Sequence, residues 1–145
     1  MQKMLQTLKN HLERGQDLVL VTVIAASGAT PRGAGARMLV GSEGRLCGTI
    51  GGGAVEYRSL QIAKKVLEEK SSYGHDFSLT KDDVQNLGMI CGGAVTVYFH
   101  YIPDGDPDTI ALAQETEKWF SLDQDLWLVS DIAAGGALSL ADRSN

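Results

Sequence analysis

A chain of 145 residues, 43% hydrophobic and 21% charged, carries enough apolar material for one hydrophobic core, so a single domain is the expected organisation. Its 18 acidic against 13 basic residues leave no basic patch for a phosphate backbone, and no stretch approaches the roughly 20 apolar residues of a membrane span; nucleic acid and membrane are excluded as partners. Two cysteines, Cys47 and Cys91, are too few for a disulfide framework and lack the paired spacing of a zinc site, which fits free thiols and a cytoplasmic location.

Met4, Leu5, Leu8 and Leu12 recur at helical spacing ahead of Gly15, so the chain opens on a short amphipathic helix. Leu18 to Ala25 is apolar and β-branched without alternation, the pattern of a strand buried on both faces. Ser27 to Ala36, SGATPRGAGA, reads as a loop before a second apolar run, Arg37 to Val40. Gly41 to Gly44 has turn composition, from which Arg45 to Ile50 pairs back as a hairpin. The triple glycine Gly51, Gly52 and Gly53 leads into an amphipathic helix over Ala54 to Lys70, with Leu60, Ala63, Val66 and Leu67 on one face. Tyr73 to Leu79 reads as a short strand, Thr80 to Val84 as a capped helical turn, Gly88 to Gly93 as a glycine loop, and Ala94 to Ile102 as a strand. Pro107 begins another helix with Leu112, Ala113, Thr116, Trp119 and Phe120 as its buried stripe. Leu126 to Ile132 is the last expected strand, and the tail after it shows no closing helix. The expected class is α/β: a mixed sheet with packed helices, antiparallel where the hairpin lies.

Backbone freedom is concentrated in three segments, Gly28 to Gly35, Gly48 to Gly53 and Gly88 to Gly93, where the chain must either turn sharply or approach a ligand closely. GTIGGGAVE, between a strand and a helix, would aim backbone N–H groups at one point with the helix dipole behind them, an arrangement that favours phosphate. It is neither the dinucleotide fingerprint nor a P-loop: Glu56 stands where the third glycine of GxGxxG belongs, and the P-loop lysine is missing. Glu56 either complements the helix dipole or contacts a ligand. Arg32 and Arg37 either converge on an anion or point into solvent, and Ser27 either donates to a phosphate or bonds its own turn. Cys91, before two glycines and a strand, is either an accessible thiolate able to act as a soft ligand or a small buried hydrophobe; Cys47, inside a strand, suits the second reading.

VTVIAASGATPRGAGARMLV, GRLCGTIGGGAVE and LGMICGGAVTVYF, in this order and spacing, resemble the N-terminal domain of the XdhC/CoxI family of xanthine dehydrogenase accessory proteins, over most of Leu18 to Tyr101. The resemblance implies an accessory protein, not an enzyme, that binds the molybdenum cofactor (molybdopterin or its nucleotide form), protects its sulfurated state and assists its insertion into apo-molybdoenzymes of the xanthine dehydrogenase or CO dehydrogenase type, with a cysteine desulfurase as a further partner. It carries cofactor contacts to Cys91, Gly92 and Gly93, to Gly51, Gly52, Gly53 and Glu56, and to Ser27, Arg32 and Arg37, with Cys91 the one side chain placed to ligate the cofactor's molybdenum. Ala29 departs from the serine of many relatives. Residues 1–145 correspond to the N-terminal domain alone, without the Rossmann-like C-terminal domain of longer members, so a homo-oligomer mate is expected to complete the site. Two other readings remain open: a thiol enzyme relaying sulfur through Cys91, which lacks a nearby base, and a nucleotide-binding module resting on GTIGGGAVE.

Overall fold

The strand Leu18–Ser27 (β1) runs through the middle of the molecule, and its residues from Leu18 to Val23 are all buried. The computed structural model describes residues 2–27, 35–78, 94–121, 127–131 and 137–141. In chain order the other elements are helix α1 (Gln2–Glu13), β2 (Arg37–Gly41), β3 (Gly44–Gly48), helix α2 (Gly53–Glu69), β4 (Tyr73–Ser78), β5 (Ala94–Ile102), helix α3 (Pro107–Ser121), β6 (Trp127–Asp131) and β7 (Ala137–Ala141). Among the described residues five strands form one sheet in the order β3-β2-β1-β5-β4, with every pairing antiparallel. The expected combination of a sheet with packed helices holds, with antiparallel pairing extending well beyond the β2–β3 hairpin.

The pleat of β1 divides the core into two layers. Val19, Val21 and Val23 face α2 and meet its Val55, Ala63 and Val66, together with Met38, Val97 and Phe99 from the flanking strands. Leu18 and Leu20 face the other way and meet Leu8 and Leu12 of α1, Leu39 and Ile102, with Ile110 of α3 packed alongside. Burial on both faces is why this segment lacks alternation. Its apolar run ends in a bulge, since Val23 pairs with Val97 but Ala25 pairs with Thr96, and the intervening Ile24 is turned out to solvent.

One end of the sheet is closed by Asp17. Its carboxylate accepts from the Tyr101 hydroxyl at 2.6 Å and from the Asp104 N–H at 2.8 Å. Burial and the bond to Asp17 push the Tyr101 hydroxyl up to about 12. The bond from Tyr101 in turn contributes most to holding the Asp17 carboxyl below its ordinary value, although burial opposes it. Helix α3 starts at Pro107 as expected, behind Asp106, which accepts from the N–H and hydroxyl of Thr109. Helix α2 ends one residue earlier than expected because Lys70 adopts the left-handed conformation and caps it through an N–H bond to Val66.

The tail contains a strand, β7, which pairs with β6 from Trp127↔Ala141 to Asp131↔Ala137. Its signal is weak because ALSLA is short and flanked by alanine, a poor strand former. The helical turn expected over Thr80 to Val84 lies outside the described residues.

Gly48 ends β3 at φ +78°, and a Cβ there would stand 2.4 Å from the Arg37 carbonyl and 2.6 Å from Met4 Cε. Gly48→Ala is expected to lower stability by about 2–4 kcal/mol through steric overlap and backbone strain. Gly44→Ala, at φ +122° with nothing within 4 Å, should show strain without overlap and lose about 1–2 kcal/mol. Urea unfolding midpoints of the two variants check the difference.

Candidate functional site

The antiparallel order brings several chain connections to one end of the sheet. At that end Ser27, the last residue of β1, pairs with Ala94, the first of β5, and Ala94 pairs in turn with Ser78, the last of β4. On the other side of β1, Arg37 opens β2 opposite Thr22, and Gly48 closes β3 opposite Met38. The segments 28–36, 49–52 and 79–93 are therefore all attached to this end. Re-entry of the first is held by a backbone pair: the Gly35 N–H donates to Val23 O at 2.7 Å and the Val23 N–H to Ala36 O at 2.9 Å. Arg37 follows immediately, with its guanidinium half-buried, and that burial lowers its pKa.

Between β3 and α2, Gly51, Gly52 and Gly53 take φ values of +122°, +73° and +67° in succession, a path closed to most side-chain-bearing residues. The turn is tied from within by Glu56, which lies in the first turn of α2. One oxygen of Glu56 accepts from the Thr49 hydroxyl, from the Ile50 N–H at 3.0 Å and from the Gly52 N–H at 3.2 Å. The Thr49 hydroxyl oxygen accepts from the Gly51 N–H at 3.1 Å. Burial works to raise the Glu56 pKa, but the Thr49, Ile50 and Gly52 bonds and the charge of Arg45 outweigh it, and the carboxyl titrates below its ordinary value. Three of the N–H groups that the sequence suggested for a phosphate are thus engaged inside the loop. Its outer side is open, with no described atom within 4 Å of a Cβ built on Gly52 or Gly53.

The structure brings together Gly51, Gly52, Gly53 and Glu56 in this loop, and sets Arg37 and the backbone of Ser27 at the same end of the sheet. Arg32, Cys91, Gly92 and Gly93 lie outside the described residues. Cys47 is half-buried beside the core layer under α1, and burial pushes its thiol pKa up, as suits a packing role. Thr49 was not singled out from the sequence. Its signal was the glutamate in the first helical turn, a residue placed to reach back to the N–H groups ahead of its own helix. Among the described residues no group of three His, Cys, Asp or Glu side chains is arranged to hold a metal ion, and no helix is long and apolar enough to cross a membrane. An open groove of about 590 Å³ lies at the opposite end, lined by Gln16, Asp17, Ser42, Lys64, Lys70 and Asp104.

Residues 11–77 match the XdhC and CoxI family. Two Escherichia coli K12 proteins are similar in sequence: the uncharacterized protein YqeB, 30% identical over 86 residues (59% of this chain and 16% of that protein), and the molybdenum cofactor insertion chaperone PaoD, 29% identical over 100 residues (66% of this chain and 30% of that protein). The chain therefore spans less than a third of the length of these relatives. The crystal structure of a Bacillus halodurans xanthine dehydrogenase superposes with a TM-score of 0.69 at 22% identity, covering 95% of this chain and 41% of that one, which establishes a shared fold.

Glu56→Ala strips the acceptor from two backbone N–H groups and should cost about 1–3 kcal/mol of stability. Because the folded-state pKa of Glu56 is depressed from 4.5, the stabilisation from its charge is full above that value and is lost as pH falls through the folded pKa. The stability gap between wild type and Glu56→Gln is therefore expected to hold steady down to about pH 4.5 and to narrow as the pH falls below it, as read from urea midpoints taken from neutral pH downward.

Proposed function

We propose, from the match of residues 11–77 to the XdhC and CoxI family, that the chain is an accessory protein that holds the sulfurated molybdenum cofactor and assists its insertion into a molybdoenzyme of the xanthine dehydrogenase or CO dehydrogenase type. The name of PaoD, a molybdenum cofactor insertion chaperone, supports a carrier rather than a catalyst. The structural observation carrying this reading is the attachment of three glycine-rich segments to one end of the sheet, around the pairing of Ser27 and Ser78 with Ala94.

The described residues suit such a ligand in two ways. Among the described residues no side chain crowds the outer side of the turn at Gly52 and Gly53, which suits a bulky group approaching the backbone. Arg37 adds a cation at the same end, suited to a phosphate. Glu56 serves in this reading as a positioning residue, since its carboxylate fixes the turn from behind and would repel a phosphate placed next to it. Ser27, Arg32, Cys91, Gly92 and Gly93 are proposed as the remaining contacts, with the Cys91 thiolate as the soft ligand. When bound, the cofactor would present phosphate at one end and sulfur-bound molybdenum at the other. A cytoplasmic setting, a cysteine desulfurase as sulfur source and self-association of the chain belong to the same proposal.

Protein purified from cells that make molybdenum cofactor is expected to carry near-stoichiometric pterin and molybdenum, scored by oxidised-pterin fluorescence and metal analysis. Cys91→Ala and Gly52→Val are each expected to lose both while keeping the wild-type circular dichroism. Wild-type protein without pterin, isolated where a full-length relative retains it, would overturn the proposal.

A further inference from the structure

Among the described residues the five-stranded sheet has two edges, β3 and β4, and they are built differently. The β3 edge is blunted: its register against β2 shifts between Leu39 and Val40, positive-φ glycines stand at both ends, and the Arg45 guanidinium donates to the Gly48 carbonyl at 2.7 Å. Bulges and charge of this kind obstruct the approach of another strand. The β4 edge has none of these devices. It pairs with β5 over six residues without a register shift, contains no Lys, Arg or Pro, and has its one charged side chain, Asp76, accepting from the Thr96 hydroxyl at 2.8 Å. Tyr73 is 47% exposed on it, and a groove of about 260 Å³ opens between β4 and α2, lined by Arg58, Ile62, Lys65, Glu69, Tyr73 and His75 among others.

We infer that β4 pairs antiparallel with β4 of a second copy of this chain, joining two sheets into one across a two-fold axis. This names the surface for the self-association proposed above and rests on that reading in this respect alone. A two-fold normal to the sheet keeps both α2 helices on the same face and pairs residues of equal parity. Centring on Asp76 would set two carboxylates opposite each other, and centring on Gly74 would pair only three residues of β4. Centring on His75 uses five, and sets Tyr73 against the partner's Phe77 and Gly74 against the partner's Asp76.

Charge favours the same arrangement. Helix α2 runs antiparallel to β4, with Arg58 5.7 Å from the Phe77 ring toward one end of the groove, and Glu69, which forms an exposed 3.9 Å pair with Lys65, lining it with Tyr73 toward the other. The two-fold therefore turns the Arg58 end of each groove toward the partner's Glu69, and does so twice.

Sedimentation equilibrium of the 145-residue chain tests this with Arg58→Glu, Glu69→Arg and the double reversal. The wild type is expected to dimerise, each single reversal to raise the dimer Kd by about tenfold or more, and the double reversal to recover most of that loss, which a mere folding defect would not do. Tyr73→Lys, at an exposed side chain, gives a second route and is expected to abolish the dimer. A monomeric wild type, or a dimer indifferent to these changes, overturns the inference. Pterin content measured on the same samples separates this seam from the cofactor proposal: a cofactor-free dimer that responds to the reversals supports the seam alone, and a cofactor-bearing monomer refutes it alone.

Discussion

The ladder between β1 and β5 is the constraint on which the rest of the molecule depends. Nine residue pairs run from Leu18↔Ile102 to Ser27↔Ala94, joining segments more than sixty positions apart in the chain. Burying each apolar side chain of β1 is worth about 1.5–3 kcal/mol, and because the strand is covered on both faces, each residue contributes to one layer or the other. A slip of one position would swap the valines facing α2 with the leucines facing α1 and α3, so register is strongly specified. The ladder thus decides which segments meet at each end. Asp17 and Tyr101 gather at one, and the glycine-rich connections leave from the other.

Within the glycine turn, hydrogen bonding and open space are divided between two sides. Glu56 and Thr49 absorb the N–H groups of residues 50 to 52 on the inner side, which keeps a backbone of three successive positive-φ residues in a single shape. On the outer side no described side chain lies within 4 Å of a Cβ built on Gly52 or Gly53. A phosphate drawn to free N–H groups would find those three already used and a carboxylate behind them. Recognition at this turn is better suited to shape, with positive charge supplied by Arg37 at the neighbouring strand. Preorganisation of this kind lowers the ordering cost of binding.

The elements that were legible in the sequence are those whose pattern comes from burial. β1 read as a strand without alternation because both its faces are covered, β5 was found with its observed bounds, and α1, α2 and α3 followed from helical periodicity and from Pro107. What escaped was set by partners distant in sequence or by short elements. β7 gains its identity from pairing with β6, and ALSLA by itself carries little preference for a strand. The antiparallel pairing of β1 with β5 depends on a connection that crosses α2 and β4, and no local motif records it. In the candidate site, the glycines and the glutamate were visible as residues, whereas their division of labour was not. Nothing in GTIGGGAVE states that Glu56 turns back on its own loop instead of outward to a ligand. Thr49 is an ordinary strand-end threonine until that carboxylate lies beside it.

The same topology separates two tasks in space. Glycine brings no side chain to packing, so a glycine-rich connection needs a rigid base, and the buried interiors of β1, β2 and β5 provide it. The β4 edge lies one strand beyond that base, with its α2 groove on the flank. Because β4 ends at Ser78, paired with the first residue of β5, a second copy joined along β4 would sit next to the connection from β4 to β5. Antiparallel pairing about His75 would also reverse the partner's direction, setting the Ser78 end of one copy against the Tyr73 end of the other. The two cofactor ends would then lie on opposite edges of the joined sheet. Each copy would hold its own cofactor in that arrangement, and the joined sheet would act as a frame presenting two carriers, not as a shared pocket. The seam along β4 and a cofactor shared between copies are therefore competing geometries, and a pterin content per chain of one or of one half distinguishes them.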